Sequence, residues 1–345
     1  MSRVGRVAVV STRALDRHDT GPRHPESSSR LAAVEQGVHR ARLGDDLVEL
    51  EPRTATRAEL ERAHDPEYLD ALESFLRSGG GALDRDTRAS PGSWATAGLA
   101  AGAGLVALEA LRAGDADAAF VCVRPPGHHA SRARAMGFCL LNSIAVAVAS
   151  LRAGGERVLV VDWDAHHGNG TETNFWDDPG VTYVSTHQWG HSFFPGTGAP
   201  SDTGGPGAPG SVWNFALPAG ATADAARAAL DVVAPAVEVF DPTWVLVSCG
   251  FDAHRADPLA GLAWSAGDYA HLTQRVSAFA PRAGRLALFL EGGYDLDALE
   301  RCTAVTLAAL AGGATADVDG YETPTSGGPG RDAITRTADA HARLA

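Results

Sequence analysis

The chain has 345 residues, 45% of them hydrophobic, and a net charge of -13, so it can bury a large core as one α/β domain. Its arginines form no cationic block, which argues against wrapping nucleic acid, because phosphate binding needs concentrated positive charge. Lysine is absent altogether, which excludes P-loop phosphate binding, pyridoxal Schiff bases and protein-kinase chemistry together, since each needs a lysine amine.

The N-terminal stretch MSRVGRVAVVSTRALDRH has an apolar run too short, and too soon followed by Arg13, Asp16 and Arg17, for a signal peptide. It reads as a first strand, Val7–Ser11. Helical patterns follow over Arg30–Arg42, Pro66–Arg77 and Trp94–Ala113, then a strand at Ala118–Val123, a helix over Asn142–Ala153, and strands at Arg157–Val161 and Val181–Thr186. Pro195 to Ser211, PGTGAPSDTGGPGAPGS, is too rich in glycine and proline for regular structure and predicts a long loop. A helix over Ala223–Phe240, a strand at Trp244–Ser248, a helix over Ala266–Ala280 and a strand at Leu286–Leu290 complete the pattern. From about Gly312 the chain is Gly/Thr/Asp-rich and predicts a loosely attached tail.

Continuous rather than alternating apolarity in these strands predicts a parallel sheet buried on both faces by helices. The expected architecture is therefore a single domain over residues 1–345, an open parallel α/β sheet with helices on both faces. No run of roughly 18 consecutive apolar residues occurs, so no membrane span is expected. Cys122, Cys139, Cys249 and Cys302 form no C-x-x-C pair. Neither a disulfide framework nor a thiolate zinc site is implied, and a reducing cytoplasm is the plain inference.

In open α/β sheets ligands bind outside the carboxyl ends of the strands, and the polar clusters of this chain fall there four times. RPPGHHA (Arg124–Ala130) follows one strand and DWDAHHGNG (Asp162–Gly170) another. CGFDAH (Cys249–His254) and EGGYD (Glu291–Asp295) follow two more.

Asp164 and His166, two apart in an extended segment, point to one side, and Asp252 offers a second carboxylate. Two carboxylates and one imidazole leave an open position, as a catalytic zinc requires. Binuclear sites in arginase-like sheets use D-A-H-x-D and D-x-D runs. Here Gly168 and His254 replace the extra carboxylates, so one ion per chain is favoured. His128 and His129 supply a base and an acid. Asp162 beside His128 would keep it protonated, while Asn169 beside His129 would leave that imidazole free to accept a proton. Tyr294 could donate its hydroxyl to an oxyanion.

These motifs, together with Met136–Asn142 (MGFCLLN) and Phe193–Gly198 (FFPGTG), resemble in order the zinc-dependent histone deacetylase superfamily, from His24-Pro-Glu through Tyr294. With Asn169 and the PPGHHA–HHGNG combination the chain is most similar to class II deacetylases, bacterial deacetylase-like amidohydrolases and acetylpolyamine amidohydrolases. The resemblance implies the arginase/deacetylase fold and removal of acetyl or short acyl groups from N-acylated amines such as acetyl-lysine, through attack of a metal-bound water. It implies Zn2+ on Asp164, His166 and Asp252, with His129 as base and acid, His128 as its charged neighbour and Tyr294 polarising the carbonyl. Gly137, Phe138, Phe194, Leu259 and Gly292 would line the substrate channel. Asp162, Asp164, His166, Ser185 and Thr186 match the family's structural K+ site. Cys249 departs from the small residue usual there, and Leu259 is not the acidic gate of polyamine-selective members. A homo-oligomer is left open. An acetylpolyamine deacetylase, a binuclear manganese ureohydrolase and a non-catalytic acyl-lysine-binding protein stand as alternatives.

Overall fold

The computed structural model describes residues 5–190 and 192–344; the first four residues and the last one of the expected 1–345 domain lie outside it. In chain order the elements are β1 (Val7–Val10), α1 (Ser29–Ala41), β2 (Leu47–Leu50), the single turn α2 (Arg57–Leu60) and α3 (Pro66–Arg77). A small hairpin of β3 (Gly81–Ala82) and β4 (Arg88–Ala89) precedes α4 (Ser93–Ala113), β5 (Ala118–Val121), α5 (Ser143–Ala153), β6 (Val158–Asp162), α6 (Asn169–Phe175) and β7 (Val181–Gln188). Then come β8 (Val212–Leu217), α7 (Ala223–Phe240), β9 (Trp244–Cys249), α8 (Ala266–Ser277), β10 (Leu286–Leu290), α9 (Leu296–Leu310) and α10 (Arg331–Ala342).

Eight strands form one sheet in the order β2-β1-β5-β10-β9-β6-β7-β8, and every pairing within it is parallel. The expected sheet flanked by helices is thus present. All positions of β5, β6, β9 and β10 are buried, which is why their sequences are apolar without alternation. These four, the strands whose ends bear the polar clusters, are consecutive neighbours in the sheet. Sequence-distant motifs therefore converge because their strands are adjacent.

Two strands absent from the sequence reading, β2 and β8, are the sheet's edges. β2 is only half-buried, and β8 is interrupted by Asn214 directly after the Gly/Pro-rich segment, so neither has a continuous apolar signature. Helix α9 also escaped the periodicity because it packs against both α1 and α8 and is apolar over most of its circumference. Gly37 lets α1 approach it, since a Cβ there would lie 2.6 Å from the Glu300 carbonyl oxygen. The segment from Pro195 to Ser211 contains no helix or strand, as expected.

Contrary to the expectation of a loosely attached tail, the segment from about Gly312 is held against the domain. Thr337 Oγ1 donates to the Asn214 carbonyl at 2.6 Å, His341 stacks on Trp213 with centroids 3.4 Å apart, and the Thr325 hydroxyl bonds Asp268 at 2.7 Å. Low apolar content hid a segment held by polar contacts. Although no membrane span is expected from the sequence, α4 is long and apolar enough by length and composition to cross a membrane. Most of it is buried inside the protein, packed on α5, β1 and β5, so a core helix accounts for its apolarity.

Candidate active site

β6 ends at Asp162, and the chain leaves the sheet as Trp163-Asp164-Ala165-His166; β9 ends at Cys249, three residues before Asp252. His166 Nδ1 lies 2.8 Å from Asp252 Oδ2 and 3.3 Å from Asp164 Oδ1. Among the described residues these three are the one cluster whose ligand atoms all lie within 4.8 Å of one another. Backbone amides aim the carboxylates. Gly292 N–H donates to Asp164 Oδ2 at 2.7 Å, and Ala165 N–H donates to Asp252 Oδ1 at 2.7 Å. A Cβ at Gly292 or Gly250 would overlap these carboxylates, so both positions require glycine.

The electrostatics fit a cation. Burial, together with the charge of Asp164, pushes the Asp252 carboxyl up. Against its own burial, the neighbouring His128 and His166 pull Asp164 down. His166, which burial alone would lower, is raised by its bonds to both carboxylates. Asp252, raised and sharing its one imidazole with Asp164, is short of positive charge, which a divalent ion would supply.

His128 and His129 stand on the turn after β5, with ring centroids 4.0 Å apart. His128 Nδ1 is 3.0 Å from Asp162 Oδ2, and His129 Nδ1 is 2.8 Å from Asn169 Oδ1, the pairing expected from sequence. Burial would lower His128, but Asp162, Asp164 and Glu291 overcome it and raise its pKa to about 10. Burial, then the charges of His128 and His166, hold His129 well below the ordinary histidine range. Two adjacent imidazoles thus occupy opposite protonation states.

Gly168 lies beneath this pair. A Cβ there would overlap Asp162 and stand 2.7 Å from the Tyr183 hydroxyl and 3.0 Å from His128 Nδ1. The position that a second carboxylate ligand would need has no room for any side chain.

Tyr294 packs edge-on against Phe138, centroids 5.7 Å apart, with the Arg30 guanidinium 5.0 Å over its ring. Burial, offset by Arg30 and reinforced by Asp252 and Asp164, raises its hydroxyl well above the ordinary phenol range, so it is a permanent O–H donor. On the other side Phe194 meets His129 edge-on at 5.0 Å. Gly137 and Phe138 both have positive φ, 56° and 67°, and a Cβ on Gly137 would lie 2.9 Å from Phe194. Leu259 is half-buried, its amide held by Asp257 Oδ1 at 2.9 Å. Asp162 pairs across the sheet with Ser185 on β7, whose neighbour is Thr186, and with Ser248 on β9. The Ser248 hydroxyl is buried without a partner.

Several residues escaped the sequence reading. Glu291 Oε2 accepts the Gly127 and His128 amides at 2.7 and 3.1 Å, fixing the histidine turn to the end of β10. Asp257 accepts the Tyr294 amide at 2.6 Å. Phe193 stacks on His166 at 4.9 Å and 8°, and Tyr183 donates to Asp162 Oδ2 at 3.0 Å. Glu291 had a signal, since it opens the EGGYD cluster; Asp257 lies three residues beyond the CGFDAH cluster and Tyr183 inside an apolar strand, and neither had one.

A histone deacetylase domain profile matches residues 24–310. A probable deacetylase of Archaeoglobus fulgidus is 37% identical over 86% of this chain and 84% of its own length. A histone deacetylase-like amidohydrolase of Pseudomonas aeruginosa is 39% identical over 75% of this chain and 69% of its own. The crystal structure of the HDA15 HD domain superposes with a TM-score of 0.88 and 32% identity, covering 99% of this chain and 95% of that one.

Proposed function

The chain belongs to the histone deacetylase domain family, and on that premise we propose that it is a zinc-dependent amidohydrolase releasing acetate, or another short acid, from N-acylated amines. The observation that carries this reading is the split histidine pair: His128 raised to about 10 and His129 held low, beside the Asp164, His166 and Asp252 cluster.

Asp164, His166 and Asp252 would hold one zinc, the borderline ion that takes mixed carboxylate and imidazole ligands with a position left open. When bound, it supplies Lewis acidity that polarises a carbonyl and acidifies water. The protein's own residues do the rest. Since Nδ1 of His129 donates to the Asn169 amide oxygen, its Nε2 carries the free lone pair and accepts the proton of the attacking water. The same atom then returns the proton to the leaving amine. His128, tied to Asp162, stays charged and keeps its neighbour's affinity for protons low. Tyr294 donates to the carbonyl oxygen as negative charge develops on it.

Phe138 and Phe194 suit a narrow aliphatic channel, which favours an acetyl-lysine-type chain whose methylenes each gain about 0.8 kcal/mol on burial. Leu259, lacking a carboxylate, makes acetylpolyamines the second choice. Potassium on Asp162, Asp164, His166, Ser185 and Thr186 is supported by the buried, unpartnered Ser248 hydroxyl beside them. Four unpaired cysteines support a reducing, cytoplasmic setting. A binuclear manganese ureohydrolase is disfavoured by the crowding at Gly168.

The test is turnover of an acetyl-lysine peptide, acetylputrescine and acetylspermidine by wild type, Asp252→Ala and Tyr294→Phe. Tyr294→Phe should lose about 10²–10³-fold in kcat with metal content unchanged. Asp252→Ala should lose metal and activity together; full activity in that variant would refute the reading.

A further inference from the structure

Phe193 and Phe194 lead directly into the Gly/Pro-rich segment, which has no helix or strand of its own, yet Phe193 lies flat on His166 at 4.9 Å and Phe194 edge-on to His129 at 5.0 Å. A loop of this composition does not hold two aromatic rings in place by local propensity. Something beyond the aromatic contacts must fix it.

Two buried imidazoles lie where it re-enters the protein. His167, next in sequence to His166, turns the other way and places Nδ1 2.8 Å from Thr197 Oγ1. His187, on β7, places Nε2 3.0 Å from the Gly198 carbonyl oxygen. Their rings are 4.7 Å apart, and a Cβ on Gly198, whose φ is +83°, would come within 2.7 Å of both. The loop therefore seats a bare glycine between two rings.

The far side of each ring is also engaged. His167 Nε2 faces Glu172 Oε2 at 3.0 Å, and that carboxylate accepts from Asn214 Nδ2 at 2.6 Å. His187 Nδ1 faces Ser185 Oγ at 2.8 Å. The Gly198 carbonyl can only accept, so His187 carries its proton on Nε2 and takes the Ser185 hydroxyl proton at Nδ1. By the same reasoning, Glu172 fixes the His167 proton on Nε2, leaving Nδ1 to accept from Thr197. Neither ring can rotate or change tautomer without breaking a buried hydrogen bond.

We propose that His167 and His187 form a clasp on Thr197–Gly198 that positions Phe193 and Phe194, so that one peptide unit separates the metal-ligand histidine from a histidine that sets the channel wall. These are positioning residues: they touch neither substrate nor the reacting atoms. The effect on substrate rests on the amidohydrolase reading above, whereas the effect on the loop does not.

Thr197 is exposed, so Thr197→Val removes the hydroxyl without disturbing the core, and Thr197→Ser keeps it. Amide hydrogen exchange across residues 192–204 should quicken about three- to tenfold in Thr197→Val, as expected for one lost hydrogen bond, and remain as in wild type in Thr197→Ser. With an acetyl-lysine peptide, KM should rise by a similar factor while kcat stays within about twofold and metal content is unchanged. Unchanged exchange in Thr197→Val would overturn the clasp, as would a fall in kcat at constant KM. If exchange responds while wild type turns over no acetyl amide, the clasp stands and the proposed function fails.

Discussion

Asn169→Asp changes one atom type beside the base and leaves the shape of the site intact. In the native protein the Asn169 amide oxygen accepts from His129 Nδ1 at 2.8 Å, and its amide nitrogen faces Met136 Sδ at 3.4 Å, so the imidazole feels a neutral dipole. A carboxylate in its place adds a full charge at that distance. At an effective dielectric of about 20, two unit charges 2.8 Å apart attract by about 6 kcal/mol, which is a ceiling because the new carboxylate must itself be desolvated. Measured shifts for such pairs run to roughly one to three pH units, and about two units, near 2.7 kcal/mol, is the expected gain for His129. The acid limb of kcat/KM, which reports the free enzyme's base, should move up by that amount, with little change in rate above it. Folding and metal content serve as controls. An acid limb that stays in place would mean that His129 is not the base and would refute the division of roles between the two histidines.

Gly168→Ala should lose more than about 100-fold in kcat/KM and about 1–3 kcal/mol in stability from overpacking, because the added methyl overlaps Asp162 and presses on Tyr183 and His128. The native φ there is -75°, so backbone strain is not the cause and near-native kinetics would sink the packing argument. His64, whose Nδ1 bonds the Ser131 carbonyl and whose Nε2 accepts from the Asn142 amide, is lowered by burial to about 4 from 6.5. The neutral form is the one the fold needs, so its contribution is full above pH 6.5 and is lost as pH falls towards 4, up to about 3 kcal/mol. Urea midpoints across that window should fall less steeply in His64→Gln than in wild type; parallel slopes would count against the assignment.

The central part of the fold was readable because four inner strands are buried on both faces and announce themselves as apolar runs. Edge strands β2 and β8 were not, since half-burial leaves no such run. The site was readable for the same reason: Asp162 ends one inner strand, Asp164, His166 and Asn169 follow it, and Asp252 and Tyr294 follow two others. Which strands are neighbours is a property of the sheet order, and the sequence of a single strand carries no mark of the strand beside it. Residues acting on the backbone of the site, such as Glu291 and Asp257, were harder to see. A carboxylate that accepts amide protons leaves no spacing signature, unlike a pair of ligands on one side of an extended segment.

Those amide-bound carboxylates also explain why so much acid is tolerated behind apolar strands. Asp162, Asp164, Asp252 and Glu291 are each 1% exposed or less, and an uncompensated buried carboxylate costs several kcal/mol. Where strands end, the loops leave the ladder with unpaired N–H groups that need acceptors. Asp164 takes the amides of His166 and Gly292, Asp252 that of Ala165, Glu291 those of Gly127 and His128, and Asp162 that of Asp164. Each bond satisfies a buried donor and an acid at once and fixes the acid's direction. Asp162 has His128 besides, whereas burial outweighs His128 and the two amides at Glu291 and raises its carboxyl to about 7. Asp164 and Asp252 share His166, but Asp164 also faces His128 Nε2 at 3.8 Å, so within the pair it is Asp252, raised to about 7 by burial and by the charge of Asp164, that is left short of positive charge. Protons and a divalent cation must therefore compete for that pair, so metal affinity at this site should weaken as pH falls. The loop amides of the parallel sheet aim the ligands, and the shortage of positive charge among them is what selects a cation.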